Sequence, residues 1–210
     1  IDYNVIYKGQ KSYNGVSIAS KHEINDIAVG FDDLENSPED EARLIRCVVK
    51  DIPIVNSYVP QGRALDHMYF QIKLRWFERL KDLFERNYSA YEPLLWCGDL
   101  NVAPESRDVY APDNHAAHVC FHEDARKALE NVKSWGFIDV FRKFNMDPDQ
   151  YTFYDYRIPN AVKRHLGWRI DHILATVPLA RRAEKAYIDI SSRLVQKPSD
   201  HTFLVAEFVF

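Results

Sequence analysis

Trp96-Cys97-Gly98-Asp99-Leu100-Asn101-Val102-Ala103-Pro104-Glu105 is the stretch whose reading decides the fold. Leu94, Leu95 and Trp96 end a short apolar run that is too tightly bounded for a helix, so they read as the end of a buried strand. Gly98 lets the backbone turn, and Pro104 blocks further ladder pairing. Asp99 and Asn101 stand two apart, so an extended backbone points both side chains to one side. Open sheets place reactive groups at the carboxyl ends of buried strands. The plainer reading is a polar turn, since Asp and Asn cap turns. The rest of the chain decides between the two.

The 210 residues suffice for one domain with a large core, and 46% hydrophobic with 28% charged residues is globular composition. No apolar run approaches the ~20 residues needed to span a bilayer, so no membrane partner is expected. Cys47, Cys97 and Cys120 are odd in number and form no close pair. That argues against a disulfide framework or a zinc site and for a reducing compartment. A net charge of −4 excludes a uniformly basic nucleic-acid binder but leaves room for a local basic face.

Working outward, Val5–Tyr7, Val16–Ser20 and Ile24–Phe31 read as strands, and 32–41 as a solvated acidic loop. Leu44–Val49 and Ile52–Val59, split by Lys50-Asp51, read as a hairpin. Arg63–Asn87 carries a helical stripe of Leu65, Tyr69, Ile72, Trp76, Leu80, Leu83 and Phe84, which fits core packing. Residues 105–122 form a long irregular segment whose His115, His118 and His122 read as surface histidines. Glu123–Trp135 is a second helix, ended by Gly136. Tyr151–Arg157 alternates as a strand would, 158–166 is a basic loop, and 167–174 is a strand with an acid in its middle. Pro178–Ala183 suits a short helix, and Ala186–Ile190 and Thr202–Phe210 are the last strands. Many strands with two long helices predict mixed α/β layers rather than a strictly parallel fold.

Four apolar segments share an out-of-place polar residue: Tyr58, Asp99 with Asn101, Asp171, and Asp200 with His201. Taken singly, each has an ordinary explanation. Tyr58 is a strand-end hydroxyl, Asp171 a carboxylate paired to Arg169 or Arg157, Ser199-Asp200 a turn, and His201 a satisfied strand-end histidine. Phosphodiester hydrolysis gives a reason for the combination. It needs an activated water, charge stabilisation at the phosphoryl oxygens and help for the leaving oxygen. Asp99 can take the water's proton, Asn101 can orient water or phosphate, and His201 held protonated by Asp171 can donate to a phosphate oxygen. The Tyr58 hydroxyl can bind the same group, and a divalent cation on hard oxygen ligands completes the set.

At these residues the chain resembles the exonuclease III and apurinic/apyrimidinic endonuclease family of DNA repair enzymes. The matching pieces are Tyr13-Asn14-Gly15-Val16, Tyr58-Val59-Pro60-Gln61-Gly62, Gly98-Asp99-Leu100-Asn101-Val102-Ala103-Pro104, Ser134-Trp135-Gly136-Phe137, Gly167-Trp168-Arg169-Ile170-Asp171 and Pro198-Ser199-Asp200-His201. The resemblance implies a DNase I-like, four-layered α/β sandwich of two mixed sheets flanked by helices, over residues 1–210 as one domain. It implies cleavage 5′ to abasic sites and 3′-end cleaning on duplex DNA. It also implies Mg2+ as cofactor, with Mn2+ as an alternative, a cytoplasmic, DNA-associated location, and a monomer when complete. Asp99 would be the general base with Asn101 beside it. Tyr58 would contact the phosphate, Asp171 and His201 would pair, and Asp200 would lie near the metal. Phe153, Trp168 and Ile170 would line the pocket for a flipped-out abasic sugar, and Asn14 and Gln61 would touch the DNA backbone. Lys8, Lys11, Arg63, Lys163 and Arg164 would meet phosphates on the same rim.

The family also carries an early Trp-Asn pair and a Gln-Glu-x-Lys unit whose Asn and Glu help hold magnesium, and neither motif occurs in these 210 residues. The expectation is an incomplete member that binds magnesium weakly, cleaves poorly and exposes sheet edges. Two rivals remain. One is a phosphoesterase acting on inositol phosphates or lipids, and the other is an inactive DNA-binding fragment.

Overall fold

The computed structural model describes residues 2–33 and 42–210. Its centre is a six-stranded mixed sheet of β3 (Asn25–Val29), β4 (Leu44–Val49), β5 (Ile52–Ser57), β6 (Leu95–Asp99), β7 (Phe137–Asp139) and β8 (Asp171–Thr176). The strand order is β3-β4-β5-β6-β8-β7, and only β5 and β6 run parallel. The β4–β5 hairpin turns at Lys50 and Asp51, whose φ values of 49° and 60° give the turn whose twist matches the strands.

Helices α1 (Met68–Asn87) and α3 (Glu123–Lys133) cover one face. The core there joins Trp76, Phe77, Leu80, Leu83 and Phe84 of α1 to Trp96 of the sheet and to Ala125, Leu129 and Val132 of α3. Each such side chain contributes about 1.5–3 kcal/mol when fully buried. Trp76, Leu80, Leu83 and Phe84 of the expected stripe are buried, while nearer the start Phe70 and Lys73 are inside and Tyr69 and Ile72 only half-buried. The expected start is also corrected. Arg63 adopts φ 59°, so the chain enters through a turn, and the His67 ring accepts from the Tyr69 N–H to cap the helix at Met68.

On the opposite face lie α4 (Val140–Phe144), α5 (Val177–Ala180) and an antiparallel pair, β9 (Ala183–Asp189) with β10 (Phe203–Phe208). A second antiparallel pair, β1 (Asn4–Gly9) with β2 (Gly15–Ser20), leans on β4 and β5. The mixed α/β sandwich is therefore present. The expected second sheet appears as two separate two-stranded ladders, because among the described residues no strand pairs between them. Val5, Tyr7 and Phe203 on those ladders are exposed. Among the described residues no helix is long and apolar enough to cross a membrane.

Two further expectations are revised. Most of the acidic loop at 32–41 lies outside the described residues, but Asp33 makes a shielded two-pronged pair with Arg79 at 2.7 and 2.9 Å. Tyr151–Arg157 is not a strand. Its backbone groups bond outward to two other loops, with the Thr152 and Phe153 N–H groups donating to Trp168 and the Tyr154 N–H donating to Asp200. The alternation of aromatic and polar residues there reflects one wall of a pocket rather than a ladder. The segment 105–122 also holds a short helix, α2 (Pro112–His115).

Gly98 is the tightest point of the sheet. At φ 127° its added Cβ would stand 2.1 Å from the Ser57 carbonyl oxygen. Gly98→Ala is therefore expected to destabilise the fold by about 3 kcal/mol or more, read as a shifted urea midpoint.

Candidate active site

Asp99 ends β6 and Asp171 begins β8, and the antiparallel register sets them directly opposite each other. Like charges in that arrangement repel, so the sheet tolerates here what it would exclude elsewhere. Three things hold the pair. The Leu100 N–H donates to the Ile170 carbonyl at 2.9 Å. The Val59 N–H donates to the Asp99 carbonyl at 2.9 Å. The Thr152 hydroxyl accepts from the N–H groups of Ile170 and Asp171, each at 3.2 Å.

Asn101 reaches Asp99 by a different route from the expected extended segment. It sits at φ 50°, and the Asp99 carboxylate accepts from the Asn101 N–H at 2.8 Å and from its Nδ2 at 3.2 Å. Nδ2 also donates to the Val59 carbonyl at 3.0 Å, so both amide hydrogens are engaged. Asn101 thus orients Asp99 rather than presenting a free amide to a ligand. Burial, then the Asp171 charge, pushes the Asp99 carboxyl up to about 7, against the pull of His201, the Asn101 N–H and Lys73.

His201 arrives from the loop before β10. That loop is fixed by the Tyr154 N–H donating to Asp200 and the Thr202 N–H donating to Thr152, each at 2.8 Å. The His201 Nδ1–H donates to Asp171 at 2.8 Å, and its ring leans on Phe153 at 5.0 Å. Burial alone would lower the imidazole's pKa. The Asp171 bond and charge, with Asp99 and Asp200, outweigh burial and raise it to about 9. One oxygen or nitrogen each of Asp99, Asp171 and His201 lie within 4.8 Å of one another. Asp171 therefore pairs with His201 and with neither arginine proposed for it. Arg169 binds Asp108 and Asp139 instead, and Arg157 binds Asp155.

The cluster stands between two hollows. One, of about 410 Å³, runs along Gly15, Val16, Ser17, Asn56 and Tyr58. The other, of about 260 Å³, is walled by Phe153, Trp168 and Ile170, with Tyr58, Gln61, Asn101 and Asp200 around it. Tyr58 touches both, its ring under the Arg43 guanidinium at 4.5 Å, and burial with the Asp99 charge keeps its hydroxyl protonated. Ten of the sixteen residues singled out in the sequence line one or other of these hollows, and the five basic residues expected on the same rim, Lys8, Lys11, Arg63, Lys163 and Arg164, line neither. Asn14, at φ 68°, lines neither hollow and stands next to Gly15 at the edge of the larger one. Asp200 lines the smaller hollow but is not one of the three groups within 4.8 Å.

Sequence reasoning missed His118, Cys120, Asp155 and Arg157, which also line the smaller hollow. His118 stacks on Trp168 at 4.6 Å, and burial, then His115, lowers it to about 4, so it is a neutral ring at the pocket mouth. These four lie in irregular segments, where no periodicity marks which side chain faces inward.

Residues 1–201 match the profile of the Endonuclease/Exonuclease/phosphatase family. The chain belongs to that family. It stands with the exonuclease III and AP endonuclease members. A structure of an AP endonuclease from Archaeoglobus fulgidus superposes with a TM-score of 0.94 at 49% identity, covering 98% of this chain and 79% of that one. A Neisseria 3′ phosphatase solved with a product DNA hairpin gives 0.92 at 30%, covering 99% and 80%. Exodeoxyribonuclease III of Haemophilus influenzae is 29% identical over 220 residues, 99% of this chain and 81% of that protein. The chain is thereby a member of a group of DNA repair nucleases, hydrolases of DNA phosphodiester bonds.

Proposed function

We propose that this protein cleaves the phosphodiester on the 5′ side of abasic sites in duplex DNA and removes blocking groups or nucleotides from 3′ ends. The observation that supports this is the cluster of Asp99, Asp171 and His201 within 4.8 Å, at the side of a small hollow walled by Phe153, Trp168 and Ile170. A small apolar hollow admits a sugar without its base and excludes an intact nucleotide. Asp99, whose affinity for a proton is raised, takes one from the attacking water. The protonated His201 ring and the Tyr58 hydroxyl donate to phosphoryl oxygens, where charge gathers as the water oxygen bonds to phosphorus and the 3′ oxygen leaves.

The donor set fits a hard divalent cation in kind. It offers carboxylate oxygens, and Asp99 and Asp171 stand directly opposite each other as two like charges that a cation would offset. Asp200 and Asp171, beside Asp99, would hold Mg2+ or Mn2+, which leaves Asp99 free as the base. The cation would polarise a phosphoryl oxygen. With the His201 imidazolium beside them these ligands make a weak site, so activity is expected to need high magnesium.

The test is incubation with a duplex carrying one tetrahydrofuran abasic analogue, in parallel with an inositol polyphosphate. A single magnesium-dependent nick 5′ to the analogue is expected, abolished by EDTA. Phosphate release from the inositol compound without nicking would move the chain to the phosphatase branch. Salt-sensitive duplex binding with no product would make it a binding module.

A further inference from the structure

Lys73 is fully buried on the side of α1 that faces the sheet. Its ammonium donates to three backbone carbonyls: Asn101 at 2.7 Å, Val119 at 2.8 Å and Gln61 at 3.2 Å. Those three bonds use every proton the group has. The acceptors belong to three separate loops, and each loop supplies the smaller hollow: Gln61 from the first, Asn101 from the second, His118 and Cys120 from the third. No ion pair with a carboxylate offsets the charge among the described residues, although Asp99 lies near enough for the two to influence each other.

Packing alone does not explain a lysine here. A methionine fills similar space without taking an ammonium out of water, a transfer that costs several kcal/mol. The surroundings are shaped to the lysine. Gly62, at φ 103°, closes over its stem, and a Cβ there would meet Lys73 Cδ and Val119 at 3.4 Å. Asn101, at φ 50°, sends its carbonyl to the ammonium while its side chain holds Asp99. The cation thus sits directly behind the turn that aims the proposed base.

Building on the nuclease reading above, we infer that Lys73 is a positioning residue for phosphodiester cleavage. It ties three loops into one cradle and fixes the Asn101 turn whose side chain aims Asp99. Its contribution is made in the transition state more than in binding, because Lys73 is fully buried and lines neither hollow.

The experiment compares Lys73→Met, Lys73→Gln and Lys73→Arg with the unsubstituted protein on the abasic-analogue duplex. Duplex affinity is measured separately in EDTA by fluorescence anisotropy, and folding by circular dichroism. Lys73→Met and Lys73→Gln are expected to lower kcat by about 100-fold while KM and metal-free affinity stay within about threefold, and Lys73→Arg to recover most of the loss. A Met variant with unchanged kcat overturns the inference. So does an Arg variant as impaired as Met, or a loss shared equally between kcat and KM. Failure of all three variants to fold assigns Lys73 to the core alone and overturns it too. Failure of the unsubstituted protein to nick the duplex is a different result: it overturns the nuclease reading and takes this inference with it.

Discussion

Replacing Asp99 by asparagine is expected to lower kcat on abasic duplex by about 10³-fold, within the range lost when a positioned general base is removed. Duplex affinity should hold or improve. Asp99 and Asp171 face each other across β6 and β8, so the substitution removes one of two repelling charges from a site that must receive a phosphate. Stability should change little, since a carboxylate already pushed up by burial and by its neighbour is a strained occupant of that position. Single-turnover nicking, anisotropy in EDTA and a thermal melt together check this. A variant that nicks at the parent rate would remove Asp99 from the role of base, and one that fails to bind would make its role structural.

The second large effect is on stability. Arg169 is fully buried with Asp108, whose carboxylate it meets at 2.6 and 3.2 Å, and with Asp139 at 2.8 Å. Arg142 also bonds Asp108. The Arg169 Nη1–H donates to His172 Nδ1 at 3.1 Å, and the His172 Nε2–H donates to the Val102 carbonyl at 2.9 Å. Arg169→Met leaves two buried carboxylates short of their main partner, so a loss of about 3–5 kcal/mol is expected. In a chain of this size that lowers Tm by roughly 10 °C. Trp168 and Ile170, the flanking residues, form the pocket wall, so a less stable Arg169 variant should also discriminate less against intact nucleotides.

The same network gives the pH dependence its sign. Burial by itself would raise the Asp108 and Asp139 carboxyls, but Arg169 outweighs it and holds both below the ordinary 3.8. Depressed carboxyls contribute stability that is fully present above the unfolded value and is lost as pH falls through the folded one. The parent should therefore lose this contribution only below about pH 4. In Arg169→Met burial acts without its counterweight, so the two groups take up protons more readily. The stability gap between variant and parent should narrow as pH falls from 7 toward 4, and a gap that widens would contradict the assignment.

How much of this was legible beforehand depended on the kind of signal. The β4–β5 hairpin was readable because two β-branched runs flank a two-residue turn. The core of α1 was readable over Trp76, Leu80, Leu83 and Phe84, but not at its first turns, where Phe70 and Lys73 turn inward while Tyr69 and Ile72 stay half-buried. Asp99, Asp171 and His201 could be named because each is a polar residue standing at or next to an apolar run. His118, Cys120 and Arg157 could not, because loop residues face a cavity or solvent according to contacts made far away. Lys73 carries no local mark, and nothing in its neighbourhood along the chain says that its ammonium points inward.

Local chemistry along the chain thus determined most of the strands, the two long helices, and which polar groups stand out beside apolar runs. The sequence offered Asp171 both His201 and an arginine as partner, and the tertiary structure decided for His201; it alone showed Asn101 bonded to the Asp99 carboxylate and the outer strands as two separate ladders. The physical reason is distance along the chain. Side-chain pairs 30 or more residues apart, such as His201 with Asp171, form only once sheet register and loop bonds have fixed both backbones, and no short window of sequence carries that register.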